Sequence, residues 1–315
     1  MGELQPAQPA AFEVFSQAGM ALLNNGAGVD PLGGLEVERL IAIGQSQSSS
    51  RLTTYINTIH GLTLDPVYDA FIPHAGGGAP TRFPVPIIKL NSENEAPGYF
   101  GSRGVSDPLY RYVEVPGTAH QPLEGTNYAL DLLRTVRGSF PSCPFPYEGA
   151  GGPVGIDPVL RAAVAHLDRW IWTGQAPPVA PLIDMTPSPT NPNNGVIQRD
   201  QYGNALGGIR MPEQEVPTGR NTPSFGCAVP FPPFGTIVLA TFPQWDAFDG
   251  DADPASDPTD IYAPEPASPE AVYRNHGGYV SRFVAATNAV EDAGFILDFD
   301  ARKLRKDAAS SKIAQ

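Results

Sequence analysis

Cysteine is nearly missing: Cys143 and Cys227 are the whole complement in 315 residues. Two thiols do not make a Cys-only tetrahedral zinc site, and neither has a His or a second Cys at ligand spacing, so no metal is expected. Both sit in Pro/Gly-rich stretches, "PSCPFP" and "FGCAVP". A Cys143–Cys227 disulfide and two buried free thiols both remain open. Basic residues are also scarce, 20 Lys and Arg against 33 Asp and Glu, for a net charge of −13. With no basic stripe to neutralise phosphates, a nucleic-acid partner is excluded. No apolar run approaches the roughly 18–20 residues of a membrane helix. The opening "MGELQPAQPAAFEVF" has neither a basic n-region nor an apolar h-region, so no signal peptide is visible. "MGELQP" also lacks the Ser or Thr of a myristoylation motif. No internal repeat is evident.

Proline, by contrast, is abundant: 35 residues, about twice the usual ~5%. It concentrates after residue 140, with aromatics and aliphatics interspersed, which predicts long ordered loops rather than disorder. The acidic stretch 246–266 reads as a solvated loop. Its "DGDADPASDPTD" lacks the bidentate Glu at the twelfth position of a calcium loop.

Short apolar runs alternate with helical patterns. Phe12, Phe15, Gly19, Leu22 and Leu23 share one face of a helix expected over 10–25. "LEVERLIAIG" reads as a strand buried on both sides, followed by a helix carrying Leu52, Tyr55, Ile56 and Ile59. "VYDAFIPHA", "FPVPIIKLN" and "LYRYVEVPG" are further strand candidates. That alternation predicts an α/β fold with a parallel sheet and crossovers. Further on, helices are expected at 156–173, 268–293 and 298–309, with one strand candidate, "FGTIVLATF".

The stretch "IAIGQSQSSS" places a strand, a polar turn and a helix start in sequence. Gly44-Gln45-Ser46-Gln47-Ser48 follows the nucleophile-elbow pattern Gly-x-Ser-x-Gly, with Ser in place of the last Gly. In such an elbow the residues two before and two after the nucleophile pass close together, so both must be small. The turn lifts the Ser46 hydroxyl off the sheet edge and aims the first helical amides, Gln47 N–H among them, where an oxyanion develops. Ser49 and Ser50 then read as helix-start filler. The competing explanation is a plain capped helix, for which Ser is a favoured N-cap. Downstream, Glu93 and Glu95 follow one strand and His120 follows the next, in the order Ser, acid, His that a hydrolase triad needs. The other histidines, His60, His74, His166 and His276, lie within or after helices, before the acids, or far along the chain.

Taken together, "FSQAGMALL", "GQSQSSSRLTTYIN", "IIKLNSENEA", "YRYVEVPGTAH", "AAVAHLDRWIWTGQAPP" and "GNALGGIRMP" resemble the alpha/beta hydrolase domain-containing family over nearly the whole chain. In that family a serine hydrolase core precedes a long Pro-rich region. The resemblance implies a hydrolase core over 1–140, carrying the carboxy-terminal half of the sheet, and a loop-rich region over 141–315 whose helices pack on it. It implies Ser46 as nucleophile, His120 as general base and acid, and an acid from "SENEA" as orienter. The family's acidic motif reads Glu-x-Asp; here it is Glu93-Asn94-Glu95, and Glu95 falls where related hydrolases carry Asp, with Glu93 next in line. It also implies that the first strands of the sheet and the loop with the second oxyanion donor are lacking. An exposed sheet edge beside the nucleophile strand follows, to be covered by a second copy or a partner chain.

The expected activity is carboxylic-ester hydrolysis of a small molecule through an acyl-enzyme, with no cofactor. The alternative is a truncated or degenerate hydrolase serving as a non-catalytic binding module. Acyl transfer to an acceptor other than water uses the same triad. "SFGCAVPFPPFG", Trp245 and Phe248 are candidate linings for a substrate pocket.

Overall fold

The four short apolar runs become the four strands of one parallel sheet, in the order β1-β2-β3-β4, within an α/β fold with flanking helices. The computed structural model describes residues 8–23, 31–60, 66–105, 107–121, 124, 128, 135, 153–230, 236–248, 250 and 266–315. Cys143 and most of the acidic stretch lie outside them, and with them the question of the Cys143–Cys227 disulfide and the expectation of a solvated loop over 246–266. The chain divides into two compact units. One comprises Met1–Lys89, Val105–Arg111 and Ala165–Pro177; the other comprises Leu90–Gly104, Tyr112–Val164 and Pro178–Gln315.

In the first unit, helix α1 (Gln8–Leu23) precedes strand β1 (Ile41–Gln45), helix α2 (Gln47–Thr58) and strand β2 (Ala70–His74). β1 and β2 pair in parallel from Ile41↔Ala70 to Gln45↔His74. The helical spacing of Leu52, Tyr55 and Ile56 buries all three, and Phe71, Ile72, Ile87 and Ile88 complete the core. An aromatic cluster ties α1 to it. Phe15 stacks on Tyr68 at 4.6 Å and meets Tyr55 edge-on at 5.1 Å, and Ser16 Oγ bonds Tyr55 Oη at 2.8 Å. Gly19 is required here: a Cβ would lie 2.5 Å from Val67 Cγ1. One expectation fails in this unit. β1 is not buried on both sides, since Ile43 is 51% exposed. Among the described residues β1 ends the sheet, and Ile43 borders an open cavity of about 510 Å³ beside Phe12 and Phe15 instead of a packed neighbour.

Strands β3 (Ile87–Ser92) and β4 (Tyr110–Val115) run on from the first unit into the second. Their second halves bury polar side chains, Asn91 and Ser92 in β3 and Glu114 in β4, each with a hydrogen-bond partner. Asn91 donates to Tyr112 Oη at 3.1 Å, and Tyr112 donates to Glu114 Oε1 at 2.9 Å. Glu114 Oε2 accepts from Arg103 and from the Ile183 amide. Burial nonetheless pushes the Glu114 carboxyl above the ordinary range, against those hydrogen bonds. Helix α3 (Asp157–Thr173) fulfils the 156–173 expectation.

The Pro-rich region is more regular than its composition implies. It holds a hairpin of β5 (Met185–Pro187) and β6 (Gly195–Ile197), a single turn α4 (Pro212–Glu215), and a long hairpin of β7 (Gly219–Pro230) and β8 (Thr236–Ala247). The expected single helix over 268–293 is two, α5 (Pro269–Tyr273) and α6 (His276–Asp292). The chain breaks at Arg274, whose φ is 68°, and restarts at Asn275, whose side chain caps the Gly278 amide. Helix α7 (Asp298–Ser310) follows. Tyr273, Tyr279, Phe283 and Ala308 form the cluster beneath these helices. Among the described residues no helix is long and apolar enough to cross a membrane, and no group of His, Cys, Asp and Glu is arranged to hold a metal ion.

Candidate active site

Ser46 sits between β1 and α2 with φ 57° and ψ −119°. A non-glycine residue there bears about 1–3 kcal/mol of backbone strain. Two features of the surrounding structure hold it. The Ser46 amide donates to the carbonyls of His74 and Ala75, both at 3.1 Å. Gly44 admits the close passage of the chain: a Cβ on it would lie 2.8 Å from the Ser48 carbonyl oxygen. The approach of positions 44 and 48 is therefore real, and it is backbone against backbone, with the Ser48 side chain exposed. Ser46 is no ordinary N-cap, since its side chain makes no capping bond and its backbone is far from the extended N-cap conformation. Gln47 opens the helix, so its N–H belongs to the first turn, where amides have no partner within the helix.

Ser49 is not filler. It is fully buried and donates to the Gly76 carbonyl at 2.7 Å. That carbonyl belongs to a turn after β2 that strand and helix periodicity do not single out: Ala75, Gly76, Gly77 and Gly78 all have positive φ, from 49° to 114°. The "AGGG" run is its one signal in the sequence.

In the second unit the two candidate acids part company. Glu95 Oε1 lies 2.7 Å from His120 Nδ1, while Glu95 Oε2 accepts from the Ser92 amide at 3.0 Å and the Ser92 hydroxyl at 2.6 Å. Burial pushes the Glu95 carboxyl up, but the bonds from His120 and Ser92 outweigh it and hold the group below the ordinary carboxylate range. Glu93, fully buried, binds elsewhere: Oε1 accepts from Arg199 at 2.7 Å and Oε2 from the Gly117 amide at 2.6 Å. Arg199 has no signal in the sequence, lying 106 residues from its partner.

The remaining histidines have other duties. His60 is buried, its Nε2 bonded to Tyr68 O at 2.8 Å, and burial holds it below the ordinary imidazole range. His276 Nδ1 bonds Ile313 O at 2.9 Å. His74 is buried as the last residue of β2, and His166 lies within α3. Phe248 is buried against Tyr202, with ring centroids 5.1 Å apart, and so packs rather than lines an open pocket. Trp245 is partly exposed in β8.

Ser46 directly follows β1, Glu93 directly follows β3, and His120 lies in the turn beyond β4. Each candidate thus comes just past the carboxyl end of a strand. A family model described as an alpha/beta hydrolase domain matches residues 2–306, and the chain belongs to that family. No curated protein and no solved structure matches it.

Proposed function

We propose that this alpha/beta hydrolase is a serine hydrolase that cleaves carboxylic esters through an acyl-enzyme, with Ser46 as nucleophile, His120 as general base and acid, and Glu95 as the carboxylate that orients His120. The observation that carries it is the strained backbone of Ser46, held by contacts that leave its hydroxyl free of any capping role. Strained backbone of this kind clusters at active sites and ligand clamps.

The Glu95–His120 contact supports the base. A carboxylate held below its usual range is ionised at neutral pH and only accepts hydrogen bonds, so His120 Nδ1 must carry the proton it shares with Glu95. In the neutral imidazole that arrangement puts the lone pair on Nε2, the tautomer a general base needs. In the forward step His120 Nε2 takes the Ser46 proton as Oγ attacks the ester carbonyl. The tetrahedral oxyanion draws on the Gln47 N–H and the positive end of α2. Collapse expels the alcohol, which receives the proton from His120. Water, deprotonated by the same nitrogen, then releases the acid and restores Ser46. The cavity that Gln47 shares with Phe12, Phe15 and Ile43 suits an apolar portion of the substrate.

A fluorophosphonate probe followed by peptide mapping tests this. The folded protein is expected to be labelled on Ser46. A folded protein with no label there overturns the assignment and favours a non-catalytic binding module.

A further inference from the structure

The ester chemistry has no use for Lys89, yet Lys89 is among the largest fully buried side chains of the molecule. Burying an ammonium is unfavourable unless its hydrogen bonds are met, so where it binds is informative. Its Nζ donates to the Gly76 carbonyl and lies 3.5 Å from Ser49 Oγ. Ser49 Oγ donates to the same carbonyl. One oxygen in the Ala75–Gly78 turn thus receives two donors, one from β3 and one from the first turn of α2.

That turn abuts the elbow. A Cβ on Gly77 would lie 2.5 Å from both Ser49 C and Ser50 N, and one on Gly76 would lie 3.8 Å from Ser46 Cα. Ala75 O is also one of the two acceptors of the Ser46 amide. Four consecutive positive-φ residues, three of them glycine, do not hold such a path by their own preferences.

We propose that Lys89 is a positioning residue for Ser46: by binding the Gly76 carbonyl together with Ser49, it locks the Ala75–Gly78 turn against α2 and so fixes the backbone from which the Ser46 hydroxyl projects. Only its catalytic consequence rests on Ser46 being the nucleophile; the locking of the turn does not.

Lys89→Met fills a similar volume without the donor, and two measurements on it separate the claims. Amide hydrogen exchange is expected to quicken about tenfold in peptides covering 45–50 and 74–79, as for a lost hydrogen bond, with the rest of the sheet unchanged. Ester turnover and the probe-labelling rate at Ser46 are expected to fall by about 10², the scale of a small misplacement, with KM within about twofold. Ser49→Ala moves both in the same direction by less, and adding it to Lys89→Met adds little, because the two donors share one acceptor. If Lys89→Met does not fold, Ser49→Ala decides. Unchanged exchange in both peptides, exchange raised uniformly across the protein, or a loss seen in KM alone overturns the proposal. Local acceleration with no labelling of even the parent protein leaves the lock standing and removes the nucleophile assignment.

Discussion

The elbow around Ser46 and the acidic pair around His120 are built on different principles. The elbow is almost all backbone: a positive φ, two carbonyls on one amide, and a glycine with no room for a Cβ. The segment from Ser92 to His120 is almost all side chain, with two carboxylates two residues apart choosing different partners. A backbone site tolerates substitution only where φ and volume allow. A side-chain site keeps its shape when an isosteric group is put in, and loses only charge or a proton.

That contrast is broken most sharply at Glu95. Glu95→Gln keeps the size of the side chain but offers His120 an amide, and is expected to lower turnover by about 10³–10⁴ with the fold intact, measured as kcat and circular dichroism. On the other side of the comparison, Gly44→Ala forces the Ser48 backbone to move. We expect a loss of about 10² in probe-labelling rate together with about 1–3 kcal/mol of stability, measured by urea denaturation. Glu93→Gln separates the two acids. It breaks the ion pair of the buried Glu93 with Arg199, so it is expected to cost about 3 kcal/mol of stability while kcat of the remaining folded protein stays within a few-fold. Equal effects on kcat from Glu93→Gln and Glu95→Gln would erase the distinction drawn between them.

The smallest effect is on pH. Because the folded Glu95 carboxyl is depressed below its ordinary 4.5, its bonds to Ser92 and His120 contribute stability that is complete above that value. The contribution is lost as pH falls through the depressed folded value. Thermal denaturation between pH 6 and 3 is expected to decline less steeply for Glu95→Gln than for the parent.

The same contrast explains what is legible in the sequence. Backbone requirements leave residue-type signatures, so Gly44, Ser46 and the four apolar runs can be read from residue types and spacing alone. Partner choice leaves none. Nothing in "NSENEA" says that Glu93 turns to Arg199 and Gly117, or that Ser92 supports Glu95. Composition misleads where proline and glycine mark a hairpin as loop. Residues 219–230, part of which reads as pocket lining, form β7 paired with β8 around irregular register at Phe225. The break at Arg274 is hidden because the apolar positions on either side still keep helical spacing. Ser49 escapes for a different reason: its burial depends on a turn 27 residues away.

Glycine would adopt the φ of 57° at position 46 without strain. A lineage selected for thermal endurance alone would therefore drift toward glycine there, gaining stability and surrendering the hydroxyl. With Ser46 as the nucleophile proposed above, serine at this position keeps the hydroxyl at the expense of that stability. Among descendants of this chain, its replacement by glycine would be an early mark that selection for chemistry had lapsed while the fold was kept.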